Sequence, residues 1–115
     1  MVLIAKSPEA LNVLKIAEAT GSSRHHVAKV LQRLVKDNFL VSNRGPSGGF
    51  VLKKGPDEIT LLQIYESIDG PITITTCPIG NSICAFDKCL INNVVGKLTR
   101  EVKEFFAQQR LSDYL

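Results

Sequence analysis

Two short β-prone runs, Phe39-Leu40-Val41 and Phe50-Val51-Leu52, flank a basic, glycine-rich stretch that includes Asn43-Arg44-Gly45-Pro46-Ser47-Gly48-Gly49. No other feature constrains the fold of this chain so strongly. Runs of this length joined by a Gly/Pro-rich turn read as a β-hairpin. Arg44 sits at the shoulder of the turn, and the glycines let the backbone lie close to something large and flat. By itself such a segment fits an ordinary surface hairpin as well as the wing of a DNA-binding domain. The segments before it bear on the choice.

Ser7-Pro8-Glu9 has the form of a helix start: a capping hydroxyl, a proline at the first helical position and an acid in the first turn. Leu11, Leu14 and Ala17 recur at helical spacing until Thr20-Gly21 breaks the pattern. Ser22-Ser23 then caps a second helix that runs to about Asp37. Two helices joined by a tight turn containing glycine form a helix-turn-helix, so the hairpin after them reads as its wing. On the second helix Val27, Val30, Leu31 and Leu34 share one side, while His25, Lys29, Gln32 and Lys36 lie opposite. Lysine can take phosphates or guanine edges, glutamine can pair with adenine, and histidine can serve either purpose. Any amphipathic surface helix shows some of this pattern.

Charge points the same way. The 115 residues carry a net charge of only +3, but seven of the fourteen Lys and Arg lie between Gly21 and Lys54: Arg24, Lys29, Arg33, Lys36, Arg44, Lys53 and Lys54. His25 and His26 join them, and Asp37 is the one acid in the window. Clustered cations with little counter-charge suit a polyanion, though a solvated basic face has the same composition. With 44% hydrophobic and 22% charged residues the chain is globular and long enough for one compact domain. The apolar start Met1–Ala5 is too short for a signal peptide core or a membrane span, so a cytoplasmic protein without membrane partners is expected.

After the wing, Thr60-x-x-Gln63 makes a capping box for a helix from Leu61 to Ile68, which stops at Asp69-Gly70-Pro71. Residues 71–89 show no helical period and hold all three cysteines. From Leu90 to about Gln109 helical periodicity returns, with Ile91, Val95, Leu98, Val102 and Phe105 in 4-3-4-3 spacing. That seam fits a dimerisation helix, or a single helix docked on its own domain. The expected organisation is a DNA-binding domain over residues 1–70, a cysteine-bearing loop over 71–89, and a dimerisation helix with a C-terminal tail over 90–115.

Cys77, Cys84 and Cys89 form C-x6-C-x4-C. An odd count without a secretion signal argues against a disulfide framework. Three thiols within thirteen residues can converge on a metal or an iron–sulfur cluster, or they can be redox-active or incidental. The spacing is not that of a zinc finger. A fourth donor is not obvious: Asp87, Asn92 and Asn93 lie nearby, and none is a strong soft-metal ligand. No acid/base pair or activated nucleophile can be placed, so neither enzymatic activity nor a small-molecule substrate is expected.

These features together resemble the Rrf2 family of bacterial winged-helix regulators, which includes the iron–sulfur cluster regulator and the nitric-oxide-sensing repressor. The likeness runs through Ile16-Ala17-Glu18, Leu31-Gln32-Arg33-Leu34-Val35-Lys36, Arg44-Gly45-Pro46-Ser47-Gly48-Gly49-Phe50-Val51-Leu52, Ile59-Thr60-Leu61-Leu62, Gly70-Pro71 and the three cysteines. It implies a mainly α fold with a small β-hairpin, a winged helix-turn-helix followed by a long C-terminal dimerisation helix. Arg44 would be the wing arginine entering the minor groove, and His25, Ala28 and Lys29 would hold the base-contacting positions. Cys77, Cys84 and Cys89 would be cluster ligands, with Asn92 where some relatives place a histidine. Family members usually begin with a further 15 to 20 residues of helix, of which Met1–Ala5 would be the stub.

The reading is a homodimeric DNA-binding regulator, a repressor by preference. It would recognise a palindromic operator through Ser23, Arg24, His25, His26, Lys29, Gln32, Lys36, Arg44 and Ser47. An iron–sulfur cluster, 2Fe–2S rather than 4Fe–4S and readily lost, would control its affinity. The rivals are a cluster-free regulator with a thiol switch, and a dimeric interaction module that has lost DNA binding.

Overall fold

A computed structural model describes residues 1–74, 84–91 and 93–115. The elements are α1 (Val2–Lys6), α2 (Val13–Thr20), α3 (Arg24–Lys36), β1 (Leu40–Asn43), β2 (Gly49–Leu52), α4 (Leu61–Asp69) and α5 (Val94–Gln108), with 3-10 turns at Pro56–Glu58 and Leu111–Tyr114. The fold is mainly helical with one antiparallel hairpin, as the sequence implies. Among the described residues no helix is long and apolar enough to cross a membrane.

The first helix of the helix-turn-helix starts at Val13, not at Ser7. Its cap is Asn12, whose Oδ1 accepts the Lys15 N–H at 2.9 Å. Ser7 closes a local turn instead, its hydroxyl donating to the Glu9 carbonyl at 2.7 Å. Leu11 is held by the wing: the Phe50 N–H donates to its carbonyl at 2.8 Å and its own N–H donates to the Phe50 carbonyl at 3.3 Å. A residue extended in that bridge cannot belong to a helix, so the apolar face of α2 falls on Ile16 and Ala17 while Leu14 is exposed. At the other end Gly21 adopts φ +66° and the Ser22 N–H reaches back to Ala17 O at 3.2 Å. Ser23 Oγ then accepts the His26 N–H at 3.1 Å and opens α3.

The hairpin pairs Leu40 with Leu52, Val41 with Val51, Ser42 with Phe50 and Asn43 with Gly49. Gly45, at φ +110°, turns the chain, and the Gly48 N–H donates to its carbonyl at 2.9 Å. The close approach expected of the wing glycines has an internal component. A Cβ on Gly49 would lie 2.6 Å from both the carbonyl carbon and the oxygen of Leu11. Gly49→Ala is therefore expected to cost about 1–3 kcal/mol by overpacking against backbone; an unchanged urea midpoint would contradict this contact.

The core gathers Ile4, Ile16, Ala17, Val27, Leu31, Leu34, Phe39, Leu40, Ile59 and Leu111. Asn38, in the left-handed region at φ +66°, ends α3 and lets the Phe39 N–H bond Leu34 O at 2.9 Å. The chain end returns to this core. The Leu111 N–H donates to Ile59 O at 2.8 Å, the Leu61 N–H to Gln109 O at 2.9 Å, and Arg110 Nη1 to Asp57 O at 2.6 Å.

Helix α5 begins at Val94 rather than Leu90, because Asn93 takes a left-handed conformation at φ +56°. The radius of gyration is 18.5 Å, against about 13 Å for a compact chain of this length. The principal extents are 64 × 28 × 23 Å.

Candidate nucleic-acid interface

Helix α3 carries the recognition candidates. Val27, Leu31 and Leu34 are buried beneath it, and His25, Lys29, Gln32 and Lys36 are all exposed. At 100° per residue those four side chains fall within an arc of about 60°. Arg24 and Ser23 are exposed at the start of the helix, where Ser23 already serves as cap. His26 is exposed but lines a largely apolar cleft of about 200 Å³ with Ile4, Ile16 and Val30, which turns it away from the His25–Lys36 arc.

Arg44 and Ser47 are both exposed on the wing turn. The turn leans toward the beginning of α2, where Pro46, Ser47 and Gly48 face Asn12 and Lys15 across an open cleft of about 460 Å³. Lys15 thereby joins the basic surface. It lies outside the Gly21–Lys54 charge window, and the bridge between Leu11 and Phe50 brings it beside the wing.

Three cations in the window are engaged within the fold. Arg33 Nε donates to Ser67 O at 2.9 Å and lies 3.6 Å from Asp37 Oδ2. Lys53 Nζ donates to Asn38 Oδ1 at 2.9 Å, and Lys54 Nζ sits 5.3 Å from the centroid of the Phe39 ring. Arg24, Lys29, Lys36 and Arg44 make no ion pair among the described residues, which leaves them available to a polyanion.

Cys84 and Cys89 are exposed on irregular backbone before α5. The Cys89 thiol donates to Asn93 Oδ1 at 3.9 Å. Cys77 and Asn92 lie outside the described residues, as do residues 75–83 generally. Among the described residues no group of three or more His, Cys, Asp or Glu is placed to hold a metal ion.

The seam of α5 faces away from its own domain. Val95, Leu98, Val102 and Phe105 are 40%, 55%, 47% and 52% exposed, and Ile91, just before the helix, is also exposed. The body-facing side holds Gly96, Thr99, Lys103 and Phe106, all less exposed than the seam. Lys103 Nζ donates to Ile72 O at 3.3 Å, and the Phe106 ring lies 5.8 Å from that of Tyr65 on α4. The docked-helix alternative would require the seam to point inward, and it does not.

A two-helix motif with a basic second helix, braced by a hairpin folded back onto the first, defines a winged helix-turn-helix protein. Comparison with known proteins narrows that class. The chain belongs to the Rrf2 family, whose profile, described as that of an iron-dependent transcriptional regulator, matches residues 1–115. It is 32% identical over 83 residues to an rrf2-like HTH-type transcriptional regulator of Rhodobacter capsulatus, covering 72% of this chain and 55% of that protein. It is 29% identical over 90 residues to the HTH-type transcriptional regulator IscR of Pectobacterium atrosepticum, covering 78% and 55%. The chain thus spans about half the length of these curated relatives. The fold is that of CymR, the global cysteine regulator of B. subtilis, with a TM-score of 0.75 at 24% identity over 97% of this chain and 84% of that one. The family profile and the IscR relative are named as transcriptional regulators, and CymR as a global cysteine regulator.

Proposed function

We propose that this chain binds double-stranded DNA as a homodimer and regulates transcription, with operator affinity set by an iron–sulfur cluster on Cys77, Cys84 and Cys89. The observation that carries the DNA reading is the exposed arc of His25, Lys29, Gln32 and Lys36 on α3, together with exposed Arg44 on the wing, which makes no ion pair among the described residues. Helix α3 enters the major groove, Arg44 takes the adjacent minor groove, and Lys15 and Lys36 neutralise phosphates. A cytoplasmic protein acting on a palindromic operator fits this surface. A second copy covers the α5 seam, since a winged-helix dimer must space its recognition helices to half-sites about 34 Å apart.

The donor set suits an iron–sulfur cluster in its chemistry. Thiolates are soft ligands of the kind that hold such clusters, and Cys84 and Cys89 are exposed on irregular backbone. When bound, the cluster would supply a redox- and ligand-sensitive group. The chain's own part is to hold it beside α5, so that loss of order there changes how the two recognition helices are spaced. Repression is the expected sign, because a dimer on its operator blocks other proteins from that DNA. The exposure of Cys84 and Cys89 also favours a second reading, a direct thiol switch, in which oxidation of these sulfurs replaces cluster loss.

The DNA reading is tested by Arg44→Ala. Affinity for a duplex selected from a random pool should fall by about 1–3 kcal/mol. Lys36→Ala should weaken all sequences alike and flatten the salt dependence. Operator binding unchanged in Arg44→Ala would show that the wing does not read DNA.

A further inference from the structure

Three consecutive residues of α4 reach three different parts of the molecule, as side chains about 100° apart on a helix must. Tyr65 packs on Phe106 of α5, with ring centroids 5.8 Å apart. Glu66 Oε1 accepts the N–H of Ile72 at 3.4 Å, while Lys103 of α5 donates to the carbonyl of that same residue at 3.3 Å. The segment that leads to the cysteines is thereby held at its root by both helices. Ser67 turns the third way, toward the recognition helix. Its hydroxyl donates to Asp37 Oδ2, and its carbonyl accepts from Arg33 Nε at 2.9 Å. Ser67 is 8% exposed and is a buried polar residue in an otherwise apolar set. Arg33 and Asp37 are four apart on the last turn of α3 and its cap, so both bonds grip the same end of that helix.

We infer that Ser67 is a positioning residue that couples the cysteine segment and α5 to the recognition helix through Asp37 and Arg33. A buried hydroxyl bonded to a carboxylate is directional and is lost if α4 shifts relative to α3. An apolar side chain there would pack without transmitting rotation. The chain end reinforces the lever: with Leu111 seated beside Ile59 and the Gln109 carbonyl bonded to the first turn of α4, a tilt of α5 carries α4 with it. The inference rests on the DNA-binding reading, since coupling to α3 has a functional output only if α3 reads DNA.

The test uses the full chain, a duplex selected from a random pool by the parent protein, a scrambled duplex, and iodoacetamide as the perturbant of the cysteines. Ser67→Ala and Asp37→Ala should each weaken binding to the selected duplex by on the order of 2- to 30-fold, the usual range of mutational coupling. The double variant should be no weaker than either single one. Affinity for the scrambled duplex should not change, and Ser67→Thr, which keeps the hydroxyl, should restore selectivity. In the parent, alkylation should alter both selective binding and amide exchange at the end of α3; in Ser67→Ala, which keeps only the Arg33 bond to the main-chain carbonyl, both changes should be smaller. Strict additivity of the two single variants, equal loss on both duplexes, or undiminished transmission of alkylation in Ser67→Ala would overturn the inference. So would a parent in which alkylation leaves α3 unaffected. A parent that prefers no duplex would instead refute the DNA reading, and amide exchange at α3 would still decide whether the coupling exists.

Discussion

Replacing Leu98 and Val102 together by glutamate is expected to produce a folded monomer with operator affinity lowered about 100-fold or more. Both side chains are roughly half exposed on the outer face of α5, so charge there should change the stability of the single chain by no more than about 0.5 kcal/mol. Across a dimer seam, four carboxylates would face one another in an apolar strip, which opposes association. The loss on DNA is large because two linked recognition elements bind with an avidity of about 10²–10⁴ over one alone. Sedimentation equilibrium and a parallel titration of the selected duplex read the two effects separately. A variant that remains dimeric at micromolar concentration would show that the α5 seam is not the interface.

Leu111→Ala should have the largest effect on stability. Leu111 is fully buried between α4 and the core, beside Ile59, which is also fully buried. Truncating such a leucine costs about 2–5 kcal/mol, depending on how far the site collapses. Because Leu111 anchors the return of the chain from α5, the same change should loosen α5 against α4 and raise amide exchange in the first turn of α4, where the Leu61 N–H is bonded to Gln109 O. Leu115→Ala, at a side chain 51% exposed, is the control and should be near neutral. Equal denaturation midpoints for the two variants would contradict the anchoring role.

Local chemistry made much of this fold legible. The glycine-rich turn specifies its hairpin, Ser23 and Thr60 cap the helices that follow them, and the period of Val27, Leu31 and Leu34 marks the buried side of α3. Elsewhere a long-range contact overrides the local signal. Ser7-Pro8 has good helix-start chemistry, yet Leu11 is pulled into a bridge with Phe50, a partner 39 residues away (50 − 11). The same bridge explains Gly49, whose missing side chain makes room for the Leu11 backbone, and it brings Lys15 beside the wing. Counting charge along the sequence could not reveal that Arg33, Lys53 and Lys54 are engaged by Ser67, Asn38 and Phe39. Leu111 carries no periodic signal, because a single residue swallowed by a core leaves no pattern. The outward seam of α5 was readable as a 4-3 repeat, but which way it faced required the fold.

The most direct test of the account is one titration. The protein is reconstituted without oxygen with iron and sulfide, its visible absorbance is recorded, and the selected duplex is titrated before and after the cluster is removed by a chelator. The expected result is a brown protein whose operator affinity changes when the colour is lost, and a Cys84→Ser protein that is colourless or bleaches readily. Reconstituted parent that stays colourless, or a Cys84→Ser variant that holds its colour and operator affinity as the parent does, would contradict it.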